Sequence, residues 1–357
     1  MPRAGLRLRL LSLSLAAAAV ASAQFALVGS AAPPARASSA VGEVEEGCPG
    51  QVHDSKTGVG RIGGADRYDV AAAVSRDAFA GGAAGVFIAS GETFADALSA
   101  SAAAGSIRKP VLLVTRDAIP PVIAAELTRL HPTAIQIVGG PNSVSAGVEA
   151  ALKAFAPTVG RYGGADRYEV ASTVATHTFN LGADSVYAAS GAVFADALAG
   201  SAAAAARVGP MLLVGRDQLP PGAAVYLSSK PAKSVSLLGG TATVSDSVAL
   251  QLGELARTNR VAGADRFDVA AAVSRRLFCV GTHTVYVASG MTFPDALSGA
   301  AAAATNGGPM LLVTRDTIPP SIADELRRLQ PTRIVVLGGT ASISDAVADQ
   351  LTGFLAP

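Results

Sequence analysis

The chain has no tryptophan, two cysteines, four histidines and five lysines among its 357 residues, and aromatic residues make up 5% of it. So few rings argue against a sugar site built on exposed aromatic platforms; a bound polymer would be held by polar and charged contacts in grooves. The histidines (His53, His131, His177 and His283) and the cysteines (Cys48 and Cys279) show no metal-ligand spacing, so neither a metal nor a cofactor is expected. Formal net charge is +1. There is no basic excess of the kind that neutralises phosphates, and nucleic acid is excluded as a partner. The chain also lacks a long apolar run. Leu10 to Val20 falls short of the about 20 residues needed to span a bilayer. The Ala-rich stretches near 100–106, 199–206 and 299–304 are interrupted by Gly, Ser, Asn or Arg. Stable membrane insertion is not expected.

What is present is a threefold repetition. Arg61-Ile-Gly-Gly-Ala-Asp-Arg67 returns as Arg161-Tyr-Gly-Gly-Ala-Asp-Arg167 and as Arg260-Val-Ala-Gly-Ala-Asp-Arg266. Asp66, Asp166 and Asp265 are 100 and 99 residues apart, and Gly139-Gly140, Gly239-Gly240 and Gly338-Gly339 keep the same spacing. A period of roughly 100 residues is a repeated domain rather than a thin solenoid turn. The repeats also supply an internal comparison: a position kept in all three serves something that each copy needs.

Arg3, Arg7 and Arg9, the apolar stretch and Ala21-Ser22-Ala23 form a cleavable secretory signal peptide over residues 1–23. Its removal leaves 25 basic and 27 acidic side chains, a net charge of −2. Residues 24–56 read as a loosely packed leader rich in Ala, Pro, Ser and Gly, with an acidic cluster at Glu43, Glu45 and Glu46. Three modules follow, at 57–156, 157–255 and 256–357. They leave no room for a separate catalytic domain, so activity is expected to reside in the repeats.

Within one copy, apolar runs alternate with helical patterns. A short strand near Val59 to Ile62 precedes a helix that begins near Asp66-Arg67. Val86 to Ala89, Pro110 to Val114 and Ala134 to Val138 read as buried strands. Phe94 to Ala104 reads as a helix of small residues, Pro120-Pro121 opens another, and Ser145 caps a third ending near Phe155. Alternation of this kind predicts an α/β class, with about four parallel strands per copy covered by helices. The triplicated motifs all follow strands, at the carboxyl edge where open α/β sheets place ligand sites.

Arg-x-Gly-Gly-Ala-Asp-Arg-Tyr, Ala-Ser-Gly-x-x-Phe-Ala-Asp-Ala-Leu, Pro-Val-Leu-Leu-Val-x-Arg-Asp and the strand ending in Gly-Gly closely resemble the type 2 cell-wall-binding repeat of Gram-positive surface proteins. The resemblance covers roughly residues 57–357. It implies Rossmann- or Toprim-like units in a pseudo-threefold assembly. It also implies a secreted, wall-associated protein that attaches non-covalently to a cell-wall polymer, either an anionic secondary polymer or a peptidoglycan-linked glycan. Some relatives look like amidase enhancers, so an accessory protein acting on a wall hydrolase is the runner-up, and a cryptic wall hydrolase is a third reading.

Candidate polymer-binding residues are those that recur: Arg61, Arg161 and Arg260; Asp66, Asp166 and Asp265; Arg67, Arg167 and Arg266; Asp96, Asp196 and Asp295; and Arg116, Arg216 and Arg315. The planar fork of Arg suits phosphate or carboxylate. It equally suits pairing of Arg67 with Asp66, Asp96 or a neighbouring copy. Asp96 and its equivalents read as helix-starting residues. Ser90, Ser190 and Ser289 lack both G-x-S-x-G spacing and a recurring His, so no catalytic residue is assigned. The Gly pairs form neither a dinucleotide fingerprint nor a P-loop. The Phe79 and Phe94 series are both read as core.

Cys48 and Cys279 are expected to form a disulfide on export. Cys279 belongs to the third copy alone, since Ala80 and Asn180 occupy its place in the others. The bond would join the first and third copies, which are neighbours only in a closed ring. It would enclose roughly 230 residues, for which loop entropy allows about 5 kcal/mol at most. Intact-mass analysis of protein recovered from the medium is expected to gain two hydrogens on reduction, and two free thiols before reduction would overturn the pairing.

Overall fold

The computed structural model describes residues 55–357. The expected signal peptide, nearly all of the expected leader and Cys48 lie outside the described residues. The first copy runs β1 (Gly58–Ile62), α1 (Arg67–Ala78), β2 (Gly85–Ser90), α2 (Ala95–Ser106), β3 (Val111–Val114), α3 (Pro121–Leu130), β4 (Ala134–Val138) and α4 (Ala146–Leu152). The second runs β5 (Thr158–Tyr162), α5 (Arg167–Thr178), β6 (Ser185–Ser190), α6 (Ala195–Ala206), β7 (Met211–Val214), α7 (Pro221–Ser229), β8 (Ser234–Leu238) and α8 (Asp246–Gly253). The third runs β9 (Thr258–Val261), α9 (Arg266–Leu277), β10 (Thr284–Ser289), α10 (Pro294–Thr305), β11 (Met310–Val313), α11 (Pro320–Leu329), β12 (Arg333–Leu337) and α12 (Asp345–Leu351). No helix among the described residues is long and apolar enough to cross a membrane.

Each copy has the predicted elements, but the sheets are cut differently from the repeats. There are three parallel four-stranded sheets, ordered β3-β2-β4-β5, β7-β6-β8-β9 and β11-β10-β12-β1. The first strand of every copy leaves its own module and completes the edge of the preceding one. The repeat boundaries at 57, 157 and 256 therefore fall one strand early with respect to the sheets. The reason is the short join: Leu152 is followed six residues later by β5, which reaches only the nearest free edge, that of β4. For β1 the nearest free edge belongs to β12. It pairs there in register from Gly58 with Arg333 to Ile62 with Leu337, and the three modules close into a ring.

The centre of the ring is made by α2, α6 and α10, which pack on one another and on their own sheets. Every residue of α2 except Ser106 is buried, which is why the sequence there is mostly Ala, Ser and Gly. Small side chains let three helices meet at one axis, and hydroxyls satisfy carbonyls across it. Ser201 donates to Leu98 O at 3.0 Å and Ser101 to Leu297 O at 2.5 Å. Volume is balanced copy by copy. Where α2 has Ala100, the neighbouring strands carry Val138 and Val111. Where α6 has Gly200, they carry Leu238 and Met211, and a Cβ on Gly200 would collide with both. Gly299 repeats this arrangement with Leu337 and Met310.

One seam differs from the other two. The chain passes directly from module one to two and from two to three, whereas β1 meets module three without a direct chain connection, through strand pairing with β12 and the ion pair of Asp77 with Arg333. Asp77 on α1 accepts from Arg333 on β12 at 2.9 Å and from Lys56 at 2.5 Å. Burial raises the Asp77 pKa, but the bonds from Lys56 and Arg333 outweigh burial and hold it below the ordinary value. At the equivalent positions of the other two seams the sequence has His177 with Ala134 and Arg276 with Ser234, which cannot form such an ion pair.

Gly105 ends α2 on the axis, where the other copies have Ala205 and Ala304. A Cβ at Gly105 would lie 2.8 Å from the Ala205 Cβ and 3.0 Å from that of Ala304. Gly105→Ala should therefore destabilise the protein by about 1–2 kcal/mol, because overpacking of about 1–3 kcal/mol exceeds the gain in helix propensity of about 1 kcal/mol. Chemical denaturation should show the loss, and the double variant with Ala205→Gly should recover part of it.

Candidate functional site

The carboxyl ends of all three sheets face one pole of the ring. Asp66, Asp166 and Asp265 are the N-caps of α1, α5 and α9. Each accepts the N–H groups two and three residues on, Asp66 at 2.8 and 2.9 Å. Capping engages one oxygen of each carboxylate and leaves the group at the surface.

The next residue crosses between modules. Arg167 donates to Gly191 O and Arg266 to Gly290 O, both at 2.6 Å, and Arg67 bonds Gly91 O in the same way. Each guanidinium lies over a Phe ring of the preceding module: Arg167 over Phe94 at 5.5 Å, Arg266 over Phe194 at 5.8 Å and Arg67 over Phe293 at 5.9 Å. The three rings meet at the axis with centroids 5.6–5.9 Å apart, Phe293 edge to face with the other two and Phe94 tilted on Phe194. These rings are only partly buried, so the Phe94 series is not core as expected, whereas Phe79, Phe179 and Phe278 are buried. Of the two uses open to Arg67, pairing with a neighbouring copy is realised, and about a kcal/mol per stacked cation is typical of such contacts.

The Asp96 series sits in the grooves between modules. Asp96 and Asp196 are each 6% exposed, in the first turns of α2 and α6. They are not N-caps, since Phe94 and Phe194 hold that position without a side-chain bond. The Gly pairs explain the placement. Gly139, Gly239 and Gly338 have φ of +118°, +102° and +99°. A Cβ on Gly139 would fall 2.5 Å from Asp96 Oδ2, and the other two pairs are tighter. Ser342 donates to Asp295 at 2.7 Å, and Thr243 lies 3.5 Å from Asp196. Burial raises the pKa of Asp96, opposed by the Ser143 hydroxyl and the Arg167 charge. Asp196 is raised in the same way, opposed by Thr243 and Arg266. A cavity of about 240 Å³ lies between the first two modules, lined by Asp96, Asn142, Asp166 and Arg167 among others.

The remaining candidates are not brought into the grooves. Arg61, Arg161 and Arg260 brace strand ends. Arg61 bonds Gly338 O at 2.9 Å and Asp345 at 3.1 Å, Arg161 bonds Glu149, and Arg260 bonds Gly239 O and Asp246. Arg116, Arg216 and Arg315 are exposed and pair with the adjacent Asp117, Asp217 and Asp316 at 3.0 Å. Ser90, Ser190 and Ser289 are buried, and their hydroxyls accept the N–H two residues on, which shapes the turn before α2, α6 and α10. Among the described residues no group of three His, Cys, Asp or Glu is placed to hold a metal ion. Sequence reasoning missed the axial Phe cluster. The signal was there, a triplicated Phe in step with a triplicated Arg, but nothing local relates the two, because they meet only across module boundaries.

The sequence profile of the family described as cell wall binding domain 2 (CWB2) matches residues 61–149, 161–249 and 260–348. N-acetylmuramoyl-L-alanine amidase LytC of Bacillus subtilis (strain 168) is 28% identical over 294 residues, covering 82% of this chain and 58% of that protein. The amidase enhancer of the same organism is 28% identical over 291 residues, covering 82% of this chain and 40% of its own length. Among solved structures, Cwp6 from Clostridium difficile superposes with a TM-score of 0.79 at 27% identity over 84% of this chain and 48% of the other. Cwp8 from the same organism gives 0.76 at 27% identity over 84% and 53%. The chain thus spans about half the length of the relatives it matches.

The groove carboxylates make a prediction of their own. Their folded pKa lies above the unfolded value, so their contribution to stability is lost as pH rises from the ordinary Asp range through the raised pKa. The double variant Asp96→Asn, Asp196→Asn should melt higher than the parent at neutral pH and match it near the acid end. Thermal melts between about pH 3 and about pH 7 check this, and an unchanged neutral melting temperature would mean that Arg167 and Arg266 fully offset the burial.

Proposed function

The chain belongs to the cell wall binding domain 2 family, and from that premise we propose that it is exported and binds a Gram-positive cell-wall polymer non-covalently at the carboxyl-end pole, without enzymatic activity. One observation carries this reading. The polar groups repeated in all three copies (an arginine, a carboxylate that is buried in the first two, and a glycine pair) converge on one pole and its inter-module grooves. A buried carboxylate is an acceptor for sugar hydroxyls. An adjacent guanidinium, with donors beyond the one given to a backbone carbonyl, suits an anionic substituent. The pair therefore fits an anionic secondary polymer better than a neutral peptidoglycan-linked glycan. The three buried Ser hydroxyls are engaged in turns, which speaks against a repeated nucleophile.

An accessory role beside a wall hydrolase is the second reading, favoured by the similarity to the amidase enhancer. That similarity runs over the repeats, which makes shared wall attachment the simpler account of it.

The test is sedimentation of the protein lacking residues 1–23 with protein-free wall fractions that keep or lack their secondary polymers. It should pellet with the first, lose this with rising salt, and stay soluble with the second. Equal pelleting with both would assign the glycan instead. Pelleting only with walls that retain their proteins would favour the accessory role, and clearing of a wall zymogram would overturn the non-enzymatic reading. Replacing Arg67, Arg167 and Arg266 together by Gln should cut pelleting by about tenfold and flatten its salt dependence, whereas replacement by Lys should retain most of it.

A further inference from the structure

The three grooves share an arginine, an aspartate and a glycine pair, yet they are not equal. Gly139-Gly140 is followed by Pro141-Asn142, whereas Gly239-Gly240 and Gly338-Gly339 are followed by Thr241-Ala242 and Thr340-Ala341. Two copies therefore carry a methyl group where the first carries a carboxamide. A carboxamide offers two donors and an acceptor side by side, while the hydroxyl of Thr241 or Thr340, one residue earlier, combines one donor and its acceptor on a single atom. Thr93, which also lines the first groove, is replaced by Val193 in the second copy.

Asn142 lines the cavity of about 240 Å³ between modules one and two. It is exposed, and its amide has no hydrogen-bond partner among the described residues. Nor does the turn require it. The N–H groups of Ser143 and Val144 close that turn on Gly140 O at 2.9 and 3.0 Å. The copies with alanine form the same turn, Thr243 and Val244 on Gly240 O and Ser342 and Ile343 on Gly339 O. The amide is thus spare to the fold and stands at the groove. A second difference lies across the cavity. Arg167 is exposed, whereas its equivalents Arg67 and Arg266 are half-buried. One of its N–H groups is given to Gly191 O, which leaves others for a ligand.

We propose that the groove between modules one and two recognises an N-acetylated amino sugar through its acetamido group, and that Asn142 sets this selectivity. The inference rests on the reading of the pole as a polymer-binding surface. A carboxamide and an acetamido group are complementary: the Asn142 N–H donates to the acetyl carbonyl, and its Oδ1 accepts the N–H of the sugar. Pro141 and Ala165 line the same cavity and offer the acetyl methyl an apolar wall. Asp96 and Asp166 remain as acceptors for ring hydroxyls, and Arg167 for a charged substituent. The cavity is smaller than the about 300–1,000 Å³ of sites that enclose a drug-sized ligand, which suits one sugar unit of a chain that continues outside. The other two grooves keep the arginine and the carboxylate without the amide, so they hold the polymer without reading the acetamido group.

The test is an NMR titration of the protein lacking residues 1–23 with the methyl glycosides of N-acetylglucosamine, N-acetylgalactosamine and N-acetylmannosamine, and with the parent hexoses and free amines. One N-acetyl sugar should bind saturably at one site per chain, and its hexose and amine at least about tenfold more weakly. Asn142→Ala installs the residue that the other two copies carry on the same turn, so the fold tolerates it, and it should abolish this binding. Transplanting the pair into the second copy, by Thr241→Pro with Ala242→Asn, should raise the count to two sites. No saturable binding of any of the three N-acetyl sugars, a hexose bound as tightly, undiminished binding by Asn142→Ala, or a count that stays at one after the transplant would each overturn the assignment. Wall sedimentation of the unaltered protein separates the two readings. Any of these results with pelleting intact removes the acetamido site alone, whereas loss of pelleting removes the polymer-binding pole on which it rests.

Discussion

The axis of the ring imposes the constraint on which the rest of the structure depends. Three helices can be buried against one another at a single line only if their side chains are very small, and α2, α6 and α10 meet that demand with Ala, Ser and Gly. Their amino ends then converge at one pole and carry Phe94, Phe194 and Phe293 into mutual contact. That contact offers each module a ring face for the arginine of the next. The same arginine hydrogen-bonds its own Ser-Gly turn, so the axial packing, the turn and the module interface form one connected unit.

Strand exchange is the second device. Lending the first strand of each copy to the preceding sheet turns a linear array into a closed ring without linkers. Two of the three joins are made by consecutive chain, and the third includes the backbone pairing of β1 with β12. The ion pairs of Asp77 with Arg333 and Lys56 belong to that join alone. A partly buried ion pair adds specificity of placement as much as energy, since removing one partner would strand the other. It sits where consecutive chain does not connect the two modules.

The two poles differ in symmetry. At the carboxyl-end pole the three copies keep the same Arg, Asp and Gly-Gly, so the grooves present similar chemistry. At the other pole the copies have diverged. The pairs of buried Glu126 with Arg129 and buried Glu325 with Arg328 in modules one and three give way in module two to Tyr226 and Ser229, followed by Lys230 and Pro231, and a pocket opens there.

Much of this was legible before any coordinates. The 100- and 99-residue spacing established three copies, alternating apolar and helical runs established the parallel α/β class, and Pro-Pro and Asp-Arg marked helix starts, because these signals are local and repeat in triplicate. The placement of candidate residues at strand ends followed from the same pattern. What stayed hidden depends on contacts between segments about 100 or more residues apart. Nothing near β1 states that it pairs with β12. Phe94 reads as core until Arg167 is seen over it, and Asp96 reads as a helix cap until Gly139 is seen to make room for its carboxylate. The elements and their repetition are written in the chain, since hydrophobic periodicity and turn chemistry act within a few residues. Which sheet each first strand joins, and which side chains face one another across a groove, emerges only on folding, because packing at the axis between copies sets those outcomes.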